Sequence, residues 1–271
     1  MFESLIKKAY DEDIGRGDLF SLVSSGSVKE ASIKAKQDGV FAGEVALREA
    51  CEMAQIELSV FKFDGDGIKS GDEIARLRAD ERVLLRWERT ILNFIQHASG
   101  IATMTAKFVK QISGSGAGLL DTRKTRPGLR VYEKYAVRCG GGSNHRLGLD
   151  DALMLKDSHL DGVADWALFF SEARKKMPFT TKIEVECDNF EQASKAMAAG
   201  ADIIMCDNMG FDEIARIKKL RDESYPAVLL EASGNISLAT ARDYAFSGVD
   251  AISTGSTIHQ AVWLDFSMRL A

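Results

Sequence analysis

The fold is decided by residues 182–209, KIEVECDNFEQASKAMAAGADIIMCDNM. Ile183 to Cys187 reads as a β-rich run, residues 189–199 as a helix, and Asp202 to Asp207 as a second β-rich run. Strand, helix, strand at this spacing predicts a right-handed βαβ unit with parallel strands. The same rhythm extends both ways from about Gly118. Upstream lie GLLDT (118–122) with a helix from Pro127, and ALMLKD (152–157) with a helix near 163–176. Downstream come a helix over 211–220, AVLLEAS (227–233) with a helix over 237–246, and DAISTG (250–255) with a last helix. Six such units either close into a barrel or lie as an open doubly wound sheet. The strand ends favour a barrel of six or seven strands, short of the usual eight. Nearly every one is polar: Asp121 to Lys124, Lys156-Asp157, Glu184 and Glu186, Asp207-Asn208, Glu231 with Ser233, Ser253 with Gly255. In a β/α barrel these ends converge on the face that holds the active site. An open sheet gathers its site at one switch point and leaves distal ends bland.

The texture before residue 100 differs. Phe2, Leu5, Ile6 and Ala9 mark an amphipathic helix, and Ala31, Ile33 and Ala35 alternate with polar residues as in a half-buried strand. Residues 44–54 read as a helix and Leu58 to Phe63 as a strand. GDGIKSGDEIARL (65–77) reads as tight turns flanking short strands. From Glu81 a long helix carries Leu84, Trp87, Ile91 and Ile95 on one stripe. The expected organisation is an α/β sandwich over 1–100 and a barrel over 101–259, with 260–271 packing back on the first domain.

At 271 residues, 45% apolar and 28% charged, the chain is a globular protein rather than a disordered or fibrous one. A net charge of -5 argues against a general nucleic-acid or anionic-membrane binder, so an anionic ligand needs a local basic patch. The four cysteines form no CxxC pair and read as reduced thiols. The charged N-terminus is not a signal peptide, and the uncharged stretch from Thr90 to Ala106 is too short and polar to span a bilayer. These features lead us to expect a cytoplasmic protein.

Three clusters carry chemistry. DTRKTRPGLRVYEKYAVR (121–138) gathers Arg123, Lys124, Arg126, Arg130, Lys134 and Arg138. Arg126, Arg130, Lys134 and Arg138 fall at i, i+4 steps, and a solvated helix face is the simpler reading of the first three. Arg123 and Lys124 instead end a strand in the expected barrel mouth, joined by His145, Arg146 and Lys156. Arginine forks and lysine charges bind carboxylates and phosphates, so a multiply anionic ligand is expected. The acidic pair Glu186 and Asp207 ends consecutive strands. It suits Mg²⁺, ribose hydroxyls or acid–base work, and equally simple charge balance. Glu184 shares a strand face with Glu186 and is the lesser candidate. EASGN (231–235) and STGST (253–257) each end a strand and open a helix, an arrangement that binds phosphate through free amides. GSGAG (114–118) precedes its strand and fails the dinucleotide-loop test. Gly140 to Gly142 permit a tight turn before His145. His97 reads as structural, His159 and His259 as either structural or functional, and Cys139 and Cys206 as core.

On these residues the sequence resembles the quinolinate phosphoribosyltransferases, or carboxylating nicotinate-nucleotide pyrophosphorylases. EDIGRGDL (12–19), ERTILNFIQHASGIAT (88–103), DTRKTRPGLRVYEKYAVRCGGGSNHRLGLDDALMLKD (121–157), IEVE (183–186), IIMCDNM (203–209), LEASGNI (230–236) and GVDAISTGSTIH (248–259) carry the likeness in fixed order. It implies an N-terminal α/β sandwich plus an incomplete α/β barrel, assembled as a homodimer or higher oligomer. It also implies phosphoribosyl transfer from phosphoribosyl pyrophosphate to quinolinate with loss of CO₂ and pyrophosphate. The product, nicotinate mononucleotide, is a precursor of NAD. By the family pattern Arg123, His145, Arg146 and Lys156 clamp quinolinate, with Arg89 reaching in from the partner subunit. Lys124 and Lys156 meet the pyrophosphate. Glu186 and Asp207 hold ribose hydroxyls and Mg²⁺. Ser233, Gly234, Ser253 and Gly255 take the 5′-phosphate. The chain departs from the family at Ser158, where asparagine is common, and at Asn235, where glycine is common. A related family associated with molybdenum transport shares this fold, and the intact DTRKT, NHR and LKD set favours quinolinate over it. A non-enzymatic binding module has no reason to gather paired carboxylates and two phosphate loops at one set of strand ends.

Overall fold

The computed structural model describes residues 1–271, which form two compact units. In chain order the elements begin with α1 (Glu3–Ile14), β1 (Val28–Ala35), β2 (Gly39–Val40), α2 (Glu44–Ala54), β3 (Glu57–Val60), β4 (Gly67–Ile68), β5 (Glu73–Asp80) and α3 (Glu81–Ile112). They continue through β6 (Gly118–Leu120), α4 (Arg130–Cys139), β7 (Leu153–Leu155), α5 (Asp157–Leu160), α6 (Trp166–Lys176), β8 (Ile183–Cys187) and α7 (Phe190–Ala198). The last are β9 (Ile203–Asp207), α8 (Phe211–Ser224), β10 (Leu229–Ser233), α9 (Ala241–Ala245), β11 (Ala251–Ser253), α10 (Ser256–His259) and β12 (Phe266–Leu270).

The first unit comprises residues 1–106, 132–141 and 260–271. Its antiparallel sheet has the order β12-β1-β5-β3, with β2 and β4 pairing separately. The alternation read in β1 is real: Ala31, Ile33 and Ala35 are buried. Tyr132 stands edge-on to both Phe2 and Phe94, and its hydroxyl donates to the Phe94 carbonyl at 2.8 Å. His97 is buried as a structural residue, its Nε2 2.9 Å from the buried carboxylate of Glu133. Residues 132–141, expected within the barrel segment, group with this unit, and the expected boundary at 100 falls inside the continuous α3. Lys134 also departs from the expected solvated row: it is 1% exposed, while Arg126 and Arg138 are exposed. The i, i+4 spacing is genuine, but α4 is buried from Tyr132 to Val137 on every side, so one of the four cations cannot reach water.

The second unit, residues 107–131 and 142–259, holds a six-stranded parallel sheet ordered β6-β11-β10-β9-β8-β7. Apart from the break between β6 and β7 this order runs full circle, the topology of an open barrel. β8 is buried along nearly its whole length, as a parallel strand covered on both faces should be. Two of the helices between strands, α6 and α7, begin at short polar side chains. Asp165 accepts the Leu168 N–H at the start of α6, and Asn189 accepts the Gln192 N–H at the start of α7, both at 2.9 Å. On β6, Gly118 and Leu120 bond toward β11, so Leu119 and Asp121 bond the other way, to Ser143. That isolated parallel bridge, Leu120 to Ser143, sets Asn144 and His145 beside the end of β6.

Candidate active site

Register brings the strand ends together. Ser233 lies opposite Asp207 across β10 and β9, and Ser253 opposite Leu120 across β11 and β6. Over these ends opens a cavity of about 390 Å³. Ten of the twelve site residues expected from sequence line it: Arg123, Lys124, His145, Arg146, Lys156, Glu186, Asp207, Ser233, Gly234 and Ser253. Gly255 lies just beneath, where an added Cβ would stand 3.3 Å from Lys124 Cδ and 2.9 Å from His259 Cδ2. Arg89 belongs to the first unit and lines a different hollow of about 210 Å³ with Glu12, Asp13, Thr90 and Asn93. Its exposed guanidinium donates only to Glu88, at 3.3 Å.

A buried layer supports the floor. Asp121, fully buried, accepts the His145 N–H at 2.8 Å and the Asn144 carboxamide at 2.6 Å. The His145 ring then sits with Nε2 3.0 Å from Glu184 and 3.3 Å from Glu231. Burial alone would pull this imidazole down, but hydrogen bonds and charge from the two carboxylates outweigh it and lift it to about 10. Burial, reinforced by Glu231, pushes the Glu184 carboxyl up from its ordinary range, against the opposing pull of His145. The three side chains form a group compact enough for a metal ion, all ligand atoms lying within 4.8 Å. The two carboxylates favour the protonated form of the ring that lies between them.

Above this floor the cations are poorly neutralised. Arg123, Lys124 and Arg146 pair with no carboxylate. Arg146 is held by the Ala152 carbonyl at 3.2 Å and the Met154 sulfur. Burial and the nearby Arg123 charge pull it below its ordinary value, a strain that an anion between the two guanidinium groups would relieve. Lys156 Nζ meets Glu186 Oε2 at 2.5 Å. His159 Nδ1 accepts the Lys156 N–H at 3.0 Å, which fixes the turn into α5.

Opposite the cations, Asp207 Oδ2 accepts from Asn208 at 2.8 Å, and the Ser253 hydroxyl donates to Ser233 at 3.0 Å. The expectation that both small-residue loops open helices holds for STGST, where α10 starts at Ser256, and is corrected for EASGN. After Ser233 the next helix starts only at Ala241, and the one after Ser253 is four residues long. A phosphate here would rest on loop amides and serine hydroxyls rather than on a helix dipole. The loop's backbone is unusual: Gly234 has φ 90°, Asn235 51° and Asn208 53°.

The Glu186 and Asp207 carboxylates, which line this cavity from adjacent strand ends, fit a hard divalent cation that takes its remaining ligands from water or substrate. The arrangement as a whole can hold a ligand with anionic groups at both ends and hydroxyls between. Sequence reasoning ranked Glu184 below Glu186 and gave Glu231 and Asn208 no role. The signal was present for the carboxylates, since each lies two residues before a lining residue on its strand and so on the same face. All four cysteines are free; Cys51, Cys187 and Cys206 are buried and Cys139 is half-buried, and burial pushes Cys206 up to about 12. No helix is long and apolar enough to cross a membrane.

Two family models match, quinolinate phosphoribosyl transferase N-terminal domain over residues 18–99 and C-terminal domain over 101–269. Among curated relatives, a probable carboxylating nicotinate-nucleotide pyrophosphorylase of Synechocystis is 41% identical, covering 96% of this chain and 89% of its own. The carboxylating nicotinate-nucleotide pyrophosphorylase of Mycobacterium leprae is 38% identical, covering 98% and 95%. Among solved structures, NadC from Streptococcus pyogenes superposes with a TM-score of 0.92 at 39% identity over 100% of this chain and 96% of that one. The nicotinate-nucleotide pyrophosphorylase of Francisella tularensis gives 0.92 at 35% identity over 99% and 95%. Both domains, their order and the polar strand ends agree with that likeness, and the chain belongs to the quinolinate phosphoribosyltransferase family.

Proposed function

We propose that the protein transfers the phosphoribosyl group of phosphoribosyl pyrophosphate to quinolinate, releasing pyrophosphate and CO₂ and forming nicotinate mononucleotide for NAD synthesis. The observation that carries this reading is the pair of unneutralised guanidinium groups, Arg123 and Arg146, above the imidazolium of His145. A pyridine dicarboxylate supplies the two anionic groups that such a set lacks.

In this reading Arg123, Arg146, His145 and Lys156 orient quinolinate so that its ring nitrogen faces C1′ of the ribose. The nitrogen lone pair forms the N–C1′ bond while the C1′–O bond breaks and its electron pair leaves with pyrophosphate. Positive charge grows on the ribose, where Glu186 and Asp207 favour it and also receive the hydroxyls. Lys124 and Lys156 meet the charge developing on pyrophosphate. Mg²⁺, when bound with the pyrophosphate, supplies further charge neutralisation, and the oxygens of Glu186 and Asp207 are the residues that would hold it. The pyridinium then accepts the electrons of the breaking bond to the carboxylate beside the nitrogen. CO₂ departs, and the ring carbon takes a proton from solvent. Ser233, Gly234, Ser253 and Gly255 hold the 5′-phosphate throughout. We further propose a homodimer or higher assembly, working in the cytoplasm, in which Arg89 of one subunit serves the quinolinate site of another.

With phosphoribosyl pyrophosphate and Mg²⁺, quinolinate is expected to turn over and nicotinate to be a very poor substrate. Equal turnover of the two would leave the second carboxylate without a role and overturn the reading.

A further inference from the structure

Asp207 ends β9 and Ser233 ends β10, directly opposite each other. The residues that follow are linked by more than the ladder. The Asn208 N–H donates to the Ser233 carbonyl at 3.0 Å. The Asn208 carboxamide nitrogen donates to Asp207 Oδ2 at 2.8 Å, and its oxygen accepts from the Asn235 carboxamide at 2.9 Å. A carboxylate only accepts, so Asn208 must turn its NH₂ toward Asp207 and its oxygen toward Asn235. Asn235 in turn must present its NH₂. The negative charge of Asp207 therefore sets the polarity of both amides.

The backbone is shaped to allow this contact. Gly234 has φ 90°, and a Cβ there would lie 2.4 Å from the Asn208 carboxamide. Only glycine lets that amide lie flat on the loop. Asn235 also sits in the left-handed region, where glycine would be unstrained, so nothing in the backbone calls for an asparagine. What its side chain does is hydrogen-bond Asn208.

We propose that Asn208 and Asn235 are positioning residues that tie the Asp207 carboxylate to the Ser233–Asn235 loop. They would hold the hydroxyl-binding and phosphate-binding groups for a phosphorylated pentose at one fixed spacing. This rests on the phosphoribosyl reading of the site. The relay touches neither Arg123, Arg146 nor His145, so its loss falls on the pentose phosphate and spares quinolinate.

The main variant is Asn235→Gly, which removes the carboxamide and suits the backbone. Its KM for phosphoribosyl pyrophosphate is expected to rise threefold to tenfold, equivalent to about 0.6–1.4 kcal/mol. Its kcat and its KM for quinolinate should stay within twofold of wild type. Asn208→Asp sets an acceptor against Asp207 and should raise the same KM by tenfold or more. In an Asn208→Ala background Asn235→Gly should add less than twofold, because the link runs only through Asn208. Calorimetry with ribose 5-phosphate should show the same fold-losses in Kd. An Asn235→Gly variant with unchanged phosphoribosyl pyrophosphate KM and ribose 5-phosphate Kd, or with an equal loss for quinolinate, overturns the relay. A wild-type protein that does not turn over the two substrates overturns the proposed function instead, and ribose 5-phosphate binding then still decides the relay.

Discussion

Quinolinate binding should hardly respond to pH between 6.5 and 9, because His145 keeps its proton throughout. Its side chain is 11% exposed and lies 3.0 and 3.3 Å from two buried carboxylates. Those contacts move it from 6.5 to about 10. At about 1.4 kcal/mol per pH unit this is a coupling of several kcal/mol, with the exact size set by how far the cluster relaxes. The folded value is raised above the unfolded one. The stabilisation is thus fully present below pH 6.5 and is lost as pH rises through about 10. His145→Gln removes the cation. Hydrogen bonds to charged groups are worth about 1.5–3 kcal/mol, so quinolinate affinity should fall roughly ten- to a hundredfold. Glu231→Gln deletes one of the two carboxylates and should move the alkaline loss of binding to lower pH by a unit or more. That shift is the discriminating result, since lysines also titrate near pH 10. The assay is calorimetric titration of quinolinate from pH 6 to 10.5, with thermal melts at each pH. A fall in affinity centred near 6.5, unchanged in Glu231→Gln, would mean that the carboxylates do not hold the proton.

Glu186→Ala and Asp207→Ala should each weaken phosphoribosyl pyrophosphate binding and turnover more than quinolinate binding; calorimetry showing quinolinate as the main loss would reduce them to charge balance. Arg89→Ala and Lys156→Ala should each be nearly inactive, and refolding them as an equal mixture should restore about a quarter of wild-type activity, since half the dimers are mixed and each has one intact site. No recovery in demonstrated mixed dimers would assign Arg89 to its own subunit or to no site. Gly140→Ala sets a Cβ 2.4 Å from the Ala102 carbonyl oxygen and 2.6 Å from Thr105 Cβ, both on α3. Overpacking of this kind costs about 1–3 kcal/mol, so Tm should drop by several degrees; an unchanged Tm would show that α3 yields.

The strands of the second unit were legible because each is a short β-rich run with a polar end, and a parallel sheet repeats that pattern. Helix starts were less so: α4 begins at Arg130 rather than Pro127, and α9 at Ala241 rather than 237, because turn residues delay the first helical bond. The lining cations and carboxylates were legible from their place at strand ends. The supporting layer was not. Glu184 and Glu186 have the same spacing and chemistry in the sequence, yet one is 1% exposed and the other faces the cavity. Depth below a strand end depends on sheet curvature and on what packs underneath, which no local pattern encodes. The burial of Lys134 has the same cause, since it sits in the stretch of α4 from Tyr132 to Val137 that is covered on every side. Nothing local distinguishes Asn208, because an asparagine after a strand ordinarily marks a turn.

The pairing of β1 with β12 bears on how the chain is made. β1 has β5 on one side and β12 on the other, the latter joining Ala31 to Leu270 and Ala35 to Phe266. Synthesis runs at about 5–20 residues per second, so β1 is translated more than ten seconds before its second neighbour exists. Through that interval one edge of the nascent sheet stays open to a wrong strand, from this chain or from another on the same message. The second unit, whose last strand is Ala251–Ser253, is complete before the first. Folding therefore finishes where the chain began, and truncating the final six residues should trap an aggregation-prone N-terminal sheet beside a barrel already formed.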